Sequence, residues 1–323
     1  MLDGEIAEFH SECYCFRMRI QDSPVLITGS EGFIGRNLQR ELSSRDCKVV
    51  CLDKKLPNDN IGCVDLLNFE GVEQIFERYR PKTIMHLAAQ TDVRKSIENP
   101  ETDALNNIIG TINISKVAKE YNVEKFIYFN SGGAIYDQNC HQKPTEESKT
   151  NPISPYGISK LAGEFYAKQI FEDKKIDFLS LRLSNVYGKG QTNGVISKFI
   201  YNFAYGLPCD FYGDGTSTRN YLHIMDLIEF LATAFQQKLS GVYNLGSEST
   251  ISLKELFDTI ALNFSIQPEI RYLKCIENEI KHSDLNIDKA LQTGWKPIKS
   301  LNFEIEKLIS DKDSHGVFMP GTK

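Results

Sequence analysis

The feature that most constrains this chain is a short apolar run that breaks into spaced glycines. Pro24-Val25-Leu26-Ile27-Thr28 is β-rich and has no helical period, so it reads as a buried strand. Gly29, Gly32 and Gly35 follow, and Arg36 to Ser44 has helix composition, with Leu38 and Leu42 four apart. A strand that turns through glycine into a helix aims unpaired N–H groups and a positive helix end at one point, which suits a pyrophosphate. Gly29 permits the tight turn, Gly32 lets phosphates approach the backbone, and Gly35 lets helix and strand pack closely. Alone, the pattern also fits an ordinary strand-to-helix turn.

Its context favours a dinucleotide. A second strand, Lys48-Val49-Val50-Cys51-Leu52, ends in Asp53, 24 positions after Gly29. A carboxylate there can accept both ribose hydroxyls of NAD and would repel a 2′-phosphate. Lys54 and Lys55 pull against that preference without reversing it. A third strand-like piece, Ile61-Gly62-Cys63-Val64, ends in Asp65, placed to reach the adenine.

The alternation continues. Thr83-Ile84-Met85 runs into His86-Leu87-Ala88-Ala89, and an amphipathic helix is predicted from Pro100 to about Tyr121. A strand at Lys125–Phe129 leads to Asn130-Ser131-Gly132-Gly133-Ala134, and a helix follows from Tyr156 to about Phe171. Strands and helices in this rhythm predict an α/β fold with a doubly wound parallel (Rossmann) sheet and ligands at the carboxyl ends of its strands.

Composition alone yields about one Tyr-x-x-x-Lys by accident, and the chain has two, Tyr121…Lys125 and Tyr156…Lys160. Tyr121 ends a helix and Lys125 opens a strand at its amino edge, away from the ligand crevice, so that pair reads as accidental. Tyr156 and Lys160 lie one turn apart on one helix face near a strand's carboxyl end. A cationic Lys160 would favour the Tyr156 phenolate and lower a pKa that is ordinarily about 10. That makes a general base for a sugar hydroxyl, with Ser131 placed to hydrogen-bond the same hydroxyl.

A net charge of −6 disfavours broad nucleic-acid binding. No apolar run approaches the roughly 18 residues that cross a bilayer. The eight scattered cysteines form no zinc signature, and a reduced, cytoplasmic protein without a metal is expected. Residues 1–17 read as a dispensable extension, with Met18 as an alternative start.

In order along residues 20–300, these motifs resemble the extended short-chain dehydrogenase/reductases acting on nucleotide sugars, especially UDP-hexose 4-epimerases. The likeness rests on Gly29…Gly35, Asp53, Asp65, His86-Leu87-Ala88-Ala89, Asn107-x-x-Gly110-Thr111, Ser131…Tyr136 and Tyr156…Lys160. Downstream it adds Arg182…Gly188, Phe211-Tyr212-Gly213-Asp214-Gly215, Arg219, Tyr243-Asn244-Leu245-Gly246 and Gly294-Trp295-Lys296-Pro297. The resemblance implies Ser131, Tyr156 and Lys160 as catalytic residues. It implies NAD held by Gly29, Gly32, Phe33, Ile34, Gly35, Asp53, Asp65, Leu66, Leu87, Ala88, Ala89, Asn107, Tyr156 and Lys160, with Asn107 also buttressing the active-site helix. For the substrate it implies Ser131 on the sugar hydroxyl, Asn185 and Arg219 on the diphosphate and Phe211 near the base. His223 reads as structural, Asp226 as a helix cap and His86 as packing beneath the cofactor.

A second diphosphate-binding arginine usual in relatives is missing near residues 275–282, so either Lys281, His282 or Arg271 substitutes for it or the nucleotide is held differently. Relatives that dehydrate or decarboxylate carry acidic side chains just after the strand-end Ser or Thr. Gly132-Gly133-Ala134 cannot do acid–base work, so NAD-dependent C4 epimerisation is the favoured reaction. A 4-ketosugar reductase is the alternative, and a non-catalytic NAD-binding regulator a weaker one. Ser283, where a bulky aromatic would exclude N-acetyl sugars, favours tolerance of UDP-N-acetylhexosamines. The expected organisation is an NAD-binding unit of 18–185 plus about 221–247, with strands near Tyr221 and Tyr243 returning to the sheet. A substrate lobe of 186–220 plus 248–310 and a tail of 311–323 complete it, in a homodimer built on helices 100–121 and 156–171.

Overall fold

The computed structural model describes residues 23–57, 59–138, 142–173, 176–265, 267–275 and 280–311. The readings made for residues 1–17, Met18 and nearly all of the 311–323 tail fall outside them. In chain order the first half runs β1 (Val25–Thr28), α1 (Phe33–Ser44), β2 (Val49–Leu52), α2 (Phe69–Tyr79), β3 (Thr83–His86), α3 (Val93–Glu98), α4 (Pro100–Ala104), α5 (Gly110–Glu120), β4 (Lys125–Ser131), α6 (Gly132–Ile135), α7 (Pro155–Phe171) and β5 (Asp177–Leu183). The second half runs β6 (Asn185–Tyr187), α8 (Val195–Tyr205), β7 (Cys209–Tyr212), β8 (Thr218–His223), α9 (Ile224–Gln236), β9 (Gly241–Leu245), β10 (Thr250–Ser252), α10 (Leu253–Ala261), β11 (Ile270–Leu273), β12 (His282–Ser283), α11 (Asp288–Leu291) and α12 (Leu301–Ser310).

Six strands form one parallel sheet in the order β2-β1-β3-β4-β5-β9. Its strands are buried on both faces, which explains their near-continuous apolar sequence. Val25, Ile27, Met85 and Ile127 face one cluster with Leu38, Leu227 and Trp295. Leu26, Ile84, Phe126 and Tyr128 face the other, with Val72, Phe76, Ile114 and Phe171. The chain winds outward from β1 to β2, then returns to β3 on the other side. That reversal opens a crevice above the carboxyl ends of β1 and β3.

Three sequence expectations change. Ile61–Val64 is not a strand: the Gly62 amide caps onto Asn60 Oδ1 (2.8 Å), and the Gly62 carbonyl accepts from Asp53 N (3.0 Å). A Cβ on Gly62 would fall 2.0 Å from the Cys51 carbonyl, so the segment is a tight turn laid on the end of β2. The predicted Pro100–Tyr121 helix is broken by a π-turn at Leu105–Ile109, between α4 and α5. The strand through Tyr221 does not return to the main sheet. β8 instead centres a second sheet, pairing with β6, β10 and β12, while β7 and β11 form a two-stranded ribbon. Phe199, Phe203, Phe211, Phe257 and Ile305 pack these pieces into a third cluster.

Candidate active site

The glycine loop has the shape its sequence demands. Gly29 sits at φ +70°, and a Cβ there would lie 2.7 Å from Ala88 N, so the loop is flush with the end of β3. A Cβ on Gly35 would come 2.4 Å from the Gly29 carbonyl, which is why α1 can press against the turn. α1 begins at Gly32 without a side-chain cap, leaving its first-turn amides to an anion. Phe33, Ile34 and Leu87 pack behind the loop on the core. Asp53 closes its rim, accepting from Glu31 N (2.9 Å) and Lys55 N (2.9 Å). Asp65 accepts from Leu67 N (3.0 Å) and pairs with Lys54 Nζ (3.5 Å). Leu66 is buried, its carbonyl accepting from Asn113 Nδ2 (2.9 Å). A glycine cradle, a free helix end and a carboxylate at the ribose position fit a dinucleotide.

His86 lies under this cradle. Thr111 Oγ1 donates to the Asn107 carbonyl (2.6 Å), so it accepts from His86 Nε2 (3.0 Å), and Nδ1 is left to accept from Thr28 Oγ1 (2.8 Å). Burial, then the charge of Lys160, hold the imidazole down to about 3, so it is a neutral bridge between β1, β3 and α5.

Ser131 ends β4, and its side chain lies near enough to the Tyr156 phenol, in the first turn of α7, to favour the ionised form. α7 starts cleanly because Ser154 Oγ accepts from Gly157 N (3.2 Å) and Pro155 needs no donor. The Tyr156 amide donates to Ser96 Oγ (3.1 Å), and Ser159 Oγ donates to the Tyr156 carbonyl (3.0 Å). Asn107, carried by the π-turn, donates to that same Ser159 Oγ (2.9 Å) and to the Gln90 carbonyl (3.0 Å), and accepts from Gln90 N (2.7 Å). The π-turn thus braces the turn of α7 that carries the tyrosine. Lys160 is 3% exposed, its ammonium 4.3 Å above the Tyr128 ring, while Tyr128 Oη donates to the Lys160 carbonyl (2.9 Å).

The electrostatics correct one expectation. Burial pushes Tyr156 up to about 12, the Ser131 hydrogen bond works downward and the Asp103 charge upward. Lys160 is itself pushed down to about 7 by burial, with Glu164 and Asp103 opposing. The side chains alone therefore do not generate the phenolate that the Tyr-x-x-x-Lys spacing predicts. In a buried setting the desolvation of both groups outweighs the neighbours that favour their ionised forms.

One turn beyond Lys160, Glu164 anchors α7 to the sheet. It accepts from Arg182 Nη2 (2.6 Å) and Nε (3.2 Å), Ser180 Oγ (2.5 Å) and Asn130 Nδ2 (2.7 Å), and these donors hold it below the usual carboxylate range against burial. Arg182 also donates to Tyr136 Oη (2.9 Å), which donates to Asn244 Oδ1 (2.7 Å) on β9.

On the substrate side, Asn185 is exposed at the start of β6. Arg219 Nη1 donates to the carbonyls of Thr218 (2.9 Å) and Lys281 (3.1 Å), and Arg219 is in register with Ser283. Lys281 thus stands beside Arg219, whereas Arg271 is engaged twice by Asp210 Oδ1 (2.8 and 2.6 Å). Phe211 is a correction. It is 0% exposed and stacked on Phe199 (5.7 Å, 10°), so its side chain does not reach the cleft. Strand alternation turns Tyr212 outward instead, under the Arg94 guanidinium at 4.3 Å. Asp226 does not cap α9: His223 Nδ1 accepts from Met225 N (3.3 Å), and Asp226 accepts from Ile298 N and Lys299 N (both 3.2 Å). Ser96, Ser159, Gln90 and Asp103 escaped the sequence reading. Only the spacing of Asp103 and Asn107, one helical turn apart, hints at their shared face.

The fold and site define a class. Residues 25–246 match the model of the NAD dependent epimerase/dehydratase family, and the chain belongs to that family. It is 33% identical over 306 residues to the "Putative UDP-glucose 4-epimerase" of Methanocaldococcus jannaschii, covering 88% of this chain and 97% of that one. It is 30% identical over 311 residues to the dTDP-4-dehydro-6-deoxyglucose reductase of Escherichia coli, covering 90% and 98%. The UDP-glucose 4-epimerase of Thermus thermophilus, solved with NAD, superimposes with a TM-score of 0.84 at 30% identity, covering 91% and 99%. Among the described residues no helix is long and apolar enough to cross a membrane, and no cluster of three His, Cys, Asp or Glu is placed to hold a metal ion.

Proposed function

We propose that the chain is an NAD-dependent nucleotide-sugar 4-epimerase acting on UDP-hexoses. The observation that carries this is the placing of Ser131, at the carboxyl end of β4, by the Tyr156 phenol, with Gly132-Gly133-Ala134 of α6 next in the chain and offering no other acid or base. When bound, NAD supplies a hydride acceptor and donor and a positive ring whose charge favours the Tyr156 phenolate. Tyr156 removes the proton of the sugar 4-hydroxyl and returns it to the same oxygen after the 4-keto sugar has turned its other face to the hydride donor, while Ser131 steers that oxygen. Lys160 and the brace through Asn107 and Ser159 fix the phenol. Gly29, Gly32, Gly35, Asp53 and Asp65 hold the dinucleotide, and Arg219 with Lys281 holds the diphosphate, a guanidinium fork suiting phosphate oxygens.

A cavity of about 240 Å³ lined by Gly132, Gly133, His282 and Ser283 adjoins Ser131. It supports acceptance of a 2-acetamido group. Leu105, Ile109, Ile158, Phe165 and Tyr166 are exposed on the π-turn and α7, supporting a homodimer across these helices. Sedimentation of a monomer at micromolar concentration would refute the dimer.

The test of function is purification without added cofactor, measurement of bound NAD, and incubation with UDP-, dTDP- and GDP-sugars. A 4-epimer formed without NADH release is expected. Stoichiometric NADPH consumption by a 4-ketosugar would replace this reading with the reductase, which the E. coli relative represents.

A further inference from the structure

One wall of the cavity beside Ser131 is the segment from Ser283 to Asn286, which presses on Gly132 and Gly133. A Cβ on Gly132 would lie 2.6 Å from Leu285 Cδ1, and one on Gly133 would lie 2.4 Å from Ser283 Oγ. The wall therefore stands within a methyl group of the residues that follow Ser131, and a small shift in it changes the room left for a sugar. Two buried asparagines on different sheets hold it there. Asn220 on β8 donates from Nδ2 to Asp284 Oδ1 (3.1 Å). Asn244 lies on β9, the edge strand of the six-stranded sheet. Its Nδ2 donates to the carbonyls of Asn286 (3.1 Å) and Pro144 (3.0 Å), and the Pro144 carbonyl also accepts from Asn286 N (2.9 Å).

Both carbonyls can only accept, so the orientation of the Asn244 amide is fixed, and its Oδ1 accepts from Tyr136 Oη (2.7 Å). The Asn244 backbone N–H, at the open edge of β9, donates to Glu146 Oε1 (2.8 Å). The wall and the loop through Pro144 and Glu146 are thus gathered on one residue. Tyr136 in turn accepts from Arg182 Nη1 (2.9 Å), and Arg182 is anchored on Glu164 of α7. A single chain of hydrogen bonds joins the wall to the helix that carries Tyr156 and Lys160.

We propose that Asn244 is a positioning residue for the sugar, fixing the Ser283–Asn286 wall at the distance from Ser131 that a hexose requires. It acts through Asn286 and Pro144, as a supporting group behind the pocket surface. The inference deepens the function proposed above and rests on its reading of this cavity as the sugar site. The diphosphate end of the substrate is assigned to Arg219 and Lys281, which Asn244 does not bond, so its effect should fall on the sugar alone.

The experiment measures, by calorimetry, the affinities of NAD-loaded wild type, Asn244→Ala and Tyr136→Phe for UDP and for UDP-glucose. Asn244→Ala should weaken UDP-glucose about tenfold or more, the scale of two lost hydrogen bonds, and leave UDP within a factor of about two. Its KM should rise by more than its kcat falls. Tyr136→Phe removes the hydroxyl that orients the amide and should shift UDP-glucose in the same direction by about threefold, the scale of one hydrogen bond. Equal weakening of UDP and UDP-glucose would make Asn244 a residue of general stability and overturn the proposal. So would an unchanged UDP-glucose affinity in folded Asn244→Ala, or in Tyr136→Phe should the alanine variant not fold. A wild type that binds UDP but no UDP-glucose would instead overturn the reading of the cavity as the sugar site.

Discussion

Replacing Glu164 by glutamine should unfasten the helix that carries the candidate catalytic pair. Glu164 receives four hydrogen bonds, two from Arg182, one from Ser180 and one from Asn130 beside Ser131. Both ion-pair partners are at most 5% exposed, so solvent screens little of the interaction. The Glu164→Gln side chain would keep the shape but leave the guanidinium buried without its counter-charge, and removing one partner of such a pair costs about 3–5 kcal/mol. The pH dependence gives a second reading. The folded-state pKa of Glu164 lies below its ordinary value, so its charge stabilises the fold fully above the ordinary carboxylate range. That contribution is lost as pH falls through the depressed folded value. Urea unfolding of wild type and Glu164→Gln at neutral pH should therefore differ by the full amount, and the gap should narrow steadily in acid. A difference below about 1 kcal/mol at neutral pH, the size of an exposed pair, or a gap independent of pH, would refute the claim that this carboxylate is ionised and clamps α7.

Tyr156→Phe should lower turnover by about 10²- to 10⁴-fold, the range for losing a positioned general base, with bound NAD content unchanged. A near-wild-type rate would remove Tyr156 from the chemistry. Gly29→Ala forces a Cβ onto the Ala88 backbone at a positive φ, so the purified variant should carry little or no NAD, checked by cofactor release and absorbance. Ser283→Tyr should fill the cavity beside Gly133, where a Cβ added to the glycine would already approach Ser283 Oγ to 2.4 Å. It should therefore depress turnover of UDP-N-acetylgalactosamine relative to UDP-galactose, and an unchanged ratio would place the acetamido pocket elsewhere.

What could be read from the sequence was what local physics decides. β1, the glycine turn and α1 are specified within twenty residues: apolar residues without helical period, a left-handed Gly29, and a helix whose start needs no side-chain cap. α7 is equally local, set by Ser154, Pro155 and a long helix-forming run. Ile61–Val64 has strand composition but closes back on Asn60 and Asp53, and composition does not reveal which residue a carbonyl will meet. Phe211 failed for a related reason. Alternation assigns Phe211 and Tyr212 to opposite faces, but which face is core depends on Phe199 and Phe257, far away in the chain.

The π-turn shows why the site itself was only half legible. A regular helix from Pro100 to Tyr121 satisfies every local preference, and no residue in Leu105–Ile109 is a helix breaker. The turn exists because Asn107 gains partners 17 and 52 positions away, Gln90 and Ser159, which a regular helix would rotate out of reach. Inserting that extra residue in the turn lets Asn107 reach Asp103 and Ser159 at once and sets its brace under Tyr156. The tyrosine and lysine follow from spacing on one helix, whereas the brace that holds them arrives from a second helix through a deformation that only the assembled fold stabilises. Residues that do chemistry here can be found by motif, and residues that hold them in place are set by partners far away in the chain.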